Sequence, residues 1–68
     1  MKKYEVILQD LEKKIFNDIY KTNDILPSEN ELSVNYESSR STVRQALKIL
    51  EEKGLIQRRH GYGSIVLA

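Results

Sequence analysis

Apolar residues in the first part of the chain recur at spacings of three and four, with charged residues between them. These apolar positions are Tyr4, Leu8, Leu11, Ile15 and Ile19. Because an α-helix completes a turn in about 3.6 residues, this spacing places them along one face and predicts an amphipathic helix from about Lys3 to Tyr20. We expect the apolar stripe of this helix to pack in the core.

A proline and a capping pattern mark the start of a second, shorter helix. Pro27 disfavours helical geometry in the residue before it, so the chain leading to it should be extended. Ser28 and Glu31 have the spacing of a capping box, in which each side chain accepts a hydrogen bond from the other residue's backbone N–H. We therefore predict a helix from Glu29 to Tyr36, with Leu32 and the final tyrosine facing inward.

A third helix is predicted between Ser39, a favourable N-cap residue, and Gly54, which suits the left-handed position that follows a helix. Its apolar residues fall on one face, at about 100° per residue: Val43, Ala46, Leu47 and Leu50. The opposite face carries Arg40, Arg44 and Lys48, with Ser41 and Gln45 beside them. One face should therefore pack while the other is exposed.

Two β-prone runs follow Gly54, LIQRR at 55–59 and SIVLA at 64–68. The residues between them include two glycines, so the pattern predicts a two-stranded hairpin with a flexible tip. The order of three helices and a hairpin predicts a mainly α domain with a small β-hairpin. This is the layout of a winged helix-turn-helix.

Length and composition restrict the classes of function. The 68 residues are 40% hydrophobic and 31% charged, a balance that suits one small globular domain. With no cysteine and a single histidine, His60, the chain predicts no disulfide, no metal site and no cofactor. The N-terminal apolar residues are interrupted by charges, unlike a signal peptide or a membrane span. We expect a cytoplasmic domain that does not contact a membrane.

The net charge of +1 is unevenly distributed along the chain. Residues 1–37 carry five lysines and eight acidic residues, a sum of −3, whereas residues 38–68 carry six basic and two acidic residues, a sum of +4. A basic half of this kind is typical of proteins with a polyanionic partner, although a solvated face has the same composition.

The first turns of the third helix carry the residue types that DNA recognition requires. Arginine makes bidentate contacts with guanine, hydroxyl groups and backbone amides bind phosphate, and the N-terminal end of a helix attracts anions. The chain supplies Ser39, Arg40, Ser41, Thr42, Arg44 and Gln45 there. Alternatively, the hydroxyls only cap the helix and the basic residues only solubilise it, paired with Glu37, Glu51 or Glu52. The set as a whole favours DNA binding.

The hairpin tip allows a functional and a structural interpretation. Its basic residues are Arg58, Arg59 and His60. Gly61 and Gly63 permit positive φ and a close backbone approach, as a wing on the sugar-phosphate backbone or in a minor groove requires. The turn alone would also need these glycines, so both interpretations can hold. Tyr62 could cover the edge of the core or lie on DNA.

Four motifs together resemble the N-terminal DNA-binding domain of the GntR family of bacterial transcriptional regulators, from Tyr4 to Val66. They are LPSENEL (26–32), SRSTVRQAL (39–47), LEEKGLI (50–56) and RRHGYGSIV (58–66). The resemblance implies that the second and third helices form the helix-turn-helix. It further implies that the third helix enters the major groove of double-stranded DNA and the wing tip the adjacent minor groove.

Carried over by position, the resemblance implies DNA contacts in three places. They are Asn30 in the second helix, Ser39, Arg40, Ser41, Thr42 and Arg44 in the third, and His60 and Gly61 at the wing tip. We add Gln45, Lys48 and Arg59, which extend the same surfaces. The chain departs from the family at Asn30, where an arginine is usual, and at Glu37 and Ser38, where glycine and an apolar residue are usual. The turn before the third helix should thus lack a permissive glycine and a core anchor.

The resemblance also implies a longer protein. Family members carry a C-terminal domain that binds a small-molecule effector and dimerises, so we expect this chain to be a fragment of a homodimeric repressor that binds a two-fold symmetric operator. The isolated domain should be monomeric, because its apolar residues are used in one small core. LPSENEL and GSIVLA are most similar to sugar-responsive repressors such as trehalose operon repressors, a likeness that does not identify the ligand.

Two other classes of function fit the chain less well. An enzyme is not expected, because the chain has no nucleophile elbow, no second histidine and little room for a closed cleft. A winged helix that binds another protein would favour apolar or aromatic anchors on the outer face of the third helix. That face instead carries arginine, lysine, serine and glutamine.

Overall fold

The computed structural model describes residues 1–67, and these form three helices and a two-stranded antiparallel sheet. The elements are α1 (Lys3–Phe16), α2 (Glu29–Asn35), α3 (Arg40–Glu52), β1 (Ile56–Arg59) and β2 (Gly63–Val66). This confirms the predicted winged helix-turn-helix. Ala68, the end of the predicted second β-prone run, lies outside the described residues. No helix within 1–67 has the length and apolar character needed to cross a membrane.

The core lies where α1 packs against α3, with α2 and β1 covering the rest of α3. As predicted, α3 contributes four buried residues, Val43, Ala46, Leu47 and Leu50. Full burial of an aliphatic side chain contributes about 1.5 to 3 kcal/mol, so this face of α3 is a main anchor of the fold. The opposite face of α3 stays exposed, with its polar residues directed away from the core.

Helix α1 ends at Phe16, four residues earlier than its apolar pattern predicts. Asp18 adopts a left-handed φ of 60°, and the Ile19 N–H donates to the Lys14 carbonyl at 2.8 Å, which closes the helix in a Schellman motif. The prediction of Ile19 as a core residue is therefore wrong, because this side chain is 62% exposed. Ile7, outside the predicted stripe, is fully buried instead.

The predicted helix caps are confirmed. The Ser28 Oγ accepts a hydrogen bond from the Glu31 N–H at 3.1 Å, and the Glu31 carboxylate accepts one from the Ser28 N–H at 3.3 Å. At the start of α3 the Ser39 Oγ accepts a hydrogen bond from the Thr42 N–H at 3.2 Å. Since α2 ends at Asn35, residues 36–39 form the turn of the helix-turn-helix.

The hairpin is joined to the segment before α2. Strands β1 and β2 pair with Arg59 opposite Gly63, next to the tip. The Leu26 N–H donates to the Ser64 carbonyl at 2.8 Å, and an isolated antiparallel bridge joins Ile25 to β2. The sequence predicts the extended geometry of this segment but not its partner. The pairing ties the base of the wing to the start of the helix-turn-helix.

Candidate nucleic-acid interface

Several predicted site residues border one open groove on the surface. The groove has a volume of about 640 Å³ and lies between the first turn of α2, α3 and the hairpin. Five predicted residues line it: Asn30, Arg40, Arg59, His60 and Gly61. The fold therefore brings together residues from all three places that the sequence analysis selected.

The other predicted residues extend this surface along α3 without lining the groove. They are Ser39, Ser41, Thr42, Arg44, Gln45 and Lys48, all exposed except the half-buried Thr42. The hydroxyls at the start of α3 form a connected cluster, with the Ser39 Oγ 3.2 Å from that of Ser41 and 2.8 Å from the Thr42 Oγ1. The capping role of Ser39 is thus observed, whereas the contact of these hydroxyls with DNA stays a prediction.

The basic residues of α3 do not pair with the acidic residues that their spacing offered. Arg44 pairs instead with Glu29 on α2, with 3.2 Å between its Nε and the carboxylate. Among the ion pairs within residues 1–67, none involves Arg40 or Lys48. These two side chains are therefore exposed without a carboxylate partner in the described part of the chain.

Arg58 connects the wing to both helices of the helix-turn-helix. Its Nη2 lies 2.7 Å from the second carboxylate oxygen of Glu29, and its backbone N–H donates to the Glu51 carboxylate at 3.1 Å. Sequence reasoning missed the role of Glu29. Its partners Arg44 and Arg58 lie 15 and 29 positions further along the chain, on other elements, and no periodic pattern of a single helix or strand links such distant residues. The sequence offered one indication of this role, namely that Glu29 is an acidic residue in the capped first turn of α2.

The wing tip has the backbone geometry that its glycines predict. Gly61 and Gly63 adopt positive φ values of 85° and 96°. A Cβ built on Gly61 would meet no atom within 4 Å, so the tip is open to an approaching molecule. Tyr62 is 72% exposed, which excludes the interpretation that it covers the edge of the core.

The groove has the character of an anion-binding surface. Arg40, Arg59 and His60 stand along it. Of its two carboxylates, Glu29 is paired with the guanidinium groups of Arg44 and Arg58, and Glu51 accepts a hydrogen bond from the backbone N–H of Arg58. The part of the chain that the structure describes contains no group of three histidine or acidic residues placed to hold a metal ion. Guanidinium groups beside glycine backbone are suited to phosphate and to base edges.

Comparisons with known proteins agree with this geometry. Residues 3–66 match the family model described as "Bacterial regulatory proteins, gntR family". The HTH-type transcriptional regulator TreR of Bacillus subtilis (strain 168) is 45% identical over 65 residues, which cover 96% of this chain and 27% of that protein. The histidine utilization repressor of Klebsiella aerogenes is 36% identical over 63 residues, covering 93% of this chain and 26% of that protein.

Solved structures share the fold. The crystal structure of AraR(DBD) in complex with operator ORX1 matches with a TM-score of 0.95 and 29% identity, over 97% of this chain and 80% of that one. The chain spans only about a quarter of the length of the curated relatives that it matches.

Proposed function

Because this chain belongs to the GntR family of bacterial regulatory proteins and is a DNA-binding domain of the GntR type, we propose how it reads operator DNA. Helix α3 enters the major groove and the wing tip, residues 59–62, lies in the adjacent minor groove. The observation that carries this proposal is the shared groove, since Arg40 of α3 and His60 of the wing border the same surface.

The dimensions and chemistry of α3 support this docking. Its 13 residues give a helix about 20 Å long, and the major groove is wide enough to admit one helix. Arg40 and Arg44 are exposed near its N-terminal end and are the candidates for bidentate guanine contacts. Ser41 and Lys48 are exposed beside them and suited to phosphate contacts.

The wing supplies a second contact surface. Arg59 and His60 carry the donors, and Gly61 allows the backbone to approach the sugar-phosphate chain without a side chain in between. Asn30, on the other side of the groove, retains a hydrogen-bonding side chain where an arginine is usual in the family. We assign it a phosphate or base contact of lower charge.

The distribution of exposed apolar residues argues against a protein-binding role for α3. The large apolar side chains that are exposed within residues 1–67 include Met1, Phe16, Ile19, Val34 and Tyr62, and none belongs to α3. A protein interface centred on α3 would need such anchors at its middle. The relatives reported above are transcriptional regulators, and we assign the groove no catalytic role.

We propose further that the full regulator binds its operator as a dimer. A single helix-turn-helix reads one half-site, and two copies held together read a two-fold symmetric operator with higher affinity. We assign dimerisation and effector binding to a C-terminal domain, in accord with the quarter of the relatives' length that this chain spans. The dimeric protein acts as a repressor by occupying its operator.

A salt titration tests DNA binding directly. Fluorescence anisotropy would measure the affinity of the domain for a random-sequence duplex and for a duplex obtained by selection from a random pool. Each phosphate contact lowers the slope of log K against log salt by about 0.9, so four to six contacts predict a slope of about −4 to −5. Affinity that does not change between about 50 and 200 mM salt would exclude the proposed interface.

A further inference from the structure

One carboxylate of the interface joins three elements of the fold. Glu29, the first residue of α2, accepts hydrogen bonds from Arg44 of α3 at 3.2 Å and from Arg58 of β1 at 2.7 Å, one through each oxygen. The Glu29 side chain is only 25% exposed, whereas that of Arg44 is 51% exposed. A partly buried carboxylate thus holds Arg44, an exposed arginine on the face of α3 that is proposed to contact DNA.

The contact with Glu29 orients the Arg44 guanidinium. Within residues 1–67 the structure records one hydrogen-bond partner for this group, and the bond uses Nε, at the inner side of the planar fork. Because the guanidinium is rigid and planar, holding Nε fixes the direction of the two terminal nitrogens. Those nitrogens are the donors that a bidentate guanine contact requires. The contact therefore restricts the orientation of Arg44 in the absence of DNA.

The same contact reduces the attraction of Arg44 for phosphate. The negative charge of Glu29, which Arg58 shares, partly offsets the positive charge of the Arg44 guanidinium and repels a phosphate group that approaches the pair. A neutral base edge is not repelled in this way, since it offers hydrogen-bond acceptors without a net charge. The pair consequently favours base contacts over backbone contacts.

Arg58 keeps Glu29 in place while Arg44 reaches outward. Its guanidinium holds the second oxygen of Glu29, and its own backbone is held by the Glu51 carboxylate at 3.1 Å. The capped first turn of α2 restrains the Glu29 backbone in addition. The carboxylate cannot simply rotate toward the solvent with Arg44.

We propose that Glu29 is a positioning residue that makes DNA recognition selective, by holding Arg44 for a base contact and by weakening its binding to phosphate. The proposal rests on the proposed DNA-binding function. It predicts that the loss of this carboxylate raises affinity for a random duplex and lowers the preference for the selected sequence.

The experiment compares Glu29→Gln with the matched variant Glu52→Gln. Both remove one negative charge, but Glu52 is exposed at the end of α3, and no hydrogen bond or ion pair involves its side chain within the described residues. Anisotropy titrations at one salt concentration give the affinity ratio between the selected duplex and a random duplex of equal length. We expect Glu29→Gln to lower this ratio about tenfold, within the range for one bidentate contact, and Glu52→Gln to leave it unchanged.

Two further variants distinguish the positioning of Arg44 by Glu29 from an effect of the Glu29 charge alone and from a loss of folding. Glu29→Asp keeps the charge but shortens the side chain, so the ratio should fall while random-duplex affinity stays within about twofold of the unmodified domain. In an Arg44→Ala background, Glu29→Gln should have no further effect on the ratio, because the oriented group is already absent. Glu29→Asp also remains informative if Glu29→Gln fails to fold.

The outcomes distinguish this inference from the proposed function. If the unmodified domain enriches no sequence and binds without salt dependence, the DNA-binding proposal itself is wrong. If the unmodified domain is selective but Glu29→Gln and Glu29→Asp both keep its affinity ratio, the role of Glu29 is wrong and DNA binding stands. An equal effect of Glu29→Gln with and without Arg44 would also overturn the inference, since the carboxylate would then act through another residue.

Discussion

The backbone N–H of Ser38 donates a hydrogen bond to the carbonyl of Ser33 at 2.9 Å, which closes α2 in a Schellman motif. The left-handed residue of this motif is Glu37, with φ of 52°, where the family usually has glycine. A residue with a Cβ adopts this conformation at a cost of about 1 to 2 kcal/mol. The turn before α3 thus keeps the left-handed geometry, but the strain at Glu37 lowers the free energy of unfolding. Helix α3 ends in the same way at Gly54, with φ of 77° and no strain of this kind.

The strain at this turn predicts that Glu37→Gly stabilises the domain. Relief of the left-handed strain exceeds the added flexibility of the unfolded chain, so we expect a gain of about 0.5 to 1 kcal/mol and a rise in Tm of a few degrees. Gly54→Ala is the matched control: an added Cβ there meets no atom within 4 Å, so its expected loss of about 1 kcal/mol is due to the backbone alone. A lower Tm for Glu37→Gly in thermal melts would contradict this account.

Replacement of Arg40 or Arg44 by alanine should weaken binding to the selected duplex by about 1 to 3 kcal/mol, because each would lose contacts with a base edge or phosphate. The preference at one base pair should relax if the lost contact is to guanine. Lys13→Ala on α1 is the control for the loss of a positive charge away from the groove, and we expect it to change affinity little. Unchanged affinity of both arginine variants, with circular dichroism showing intact folding, would refute the assignment of α3 as the recognition helix.

A change at the wing tip should separate binding from stability. Gly61→Val places a β-branched residue at φ of 85°, which strains the tip and should weaken DNA binding while the core stays intact. Leu47→Ala, at a side chain only 2% exposed, should instead cost about 2 to 5 kcal/mol of unfolding free energy. Thermal melts and anisotropy titrations of both variants provide the test. Equal loss of stability in the two variants would mean that the tip serves the fold rather than DNA.

The Tyr36 hydroxyl donates a hydrogen bond to the Asp10 carboxylate and so joins the end of α2 to α1. This hydrogen bond, together with Lys14, lowers the pKa of Asp10 from its usual 3.8, although partial burial opposes the shift. Burial and the bond to Asp10 raise the pKa of Tyr36. The ionised carboxylate and the neutral phenol are therefore the forms that the folded state stabilises.

The lowered pKa of Asp10 predicts a pH-dependent contribution to stability. The contribution is complete above the usual pKa of 3.8 and is lost as the pH falls through the lower pKa of the folded state. Tyr36→Phe should therefore destabilise the domain at pH 7, and its difference from the unmodified domain should shrink below about pH 4. Urea unfolding at a series of pH values measures this difference. A difference that stays constant down to pH 2 would exclude the link to Asp10.

The 68-residue chain alone should sediment as a monomer and bind a single half-site weakly. Two copies joined by a flexible linker should bind a palindrome of selected half-sites about 10²-fold more tightly or better, because the second copy binds at high effective concentration. Sedimentation velocity and titrations on one and two half-sites test both statements. A tight dimer of the unlinked chain, with full affinity for the palindrome, would contradict the proposed assignment of dimerisation to a separate domain.

Local chemistry in the sequence determined the order and type of the elements. Ser28, Ser39 and Gly54 act at short range in the chain, so their capping roles were predictable and are confirmed. The face of α3 that carries Leu47 and Leu50 followed from helical periodicity alone. The exposed face opposite was predictable for the same reason, and so was its basic character.

Tertiary structure decided which of these residues meet. The apolar pattern of α1 continued to Ile19, but the helix stops at Phe16. The chain then turns at the left-handed Asp18 and leads into the segment that pairs with β2. The sequence did not predict the partner of Arg44 either, because Glu29 lies on another helix, 15 positions earlier in the chain. The spacing of apolar and polar residues predicts only which face of its own helix or strand a side chain occupies. Only the packing of elements against one another brings a carboxylate on α2 to arginines on α3 and β1.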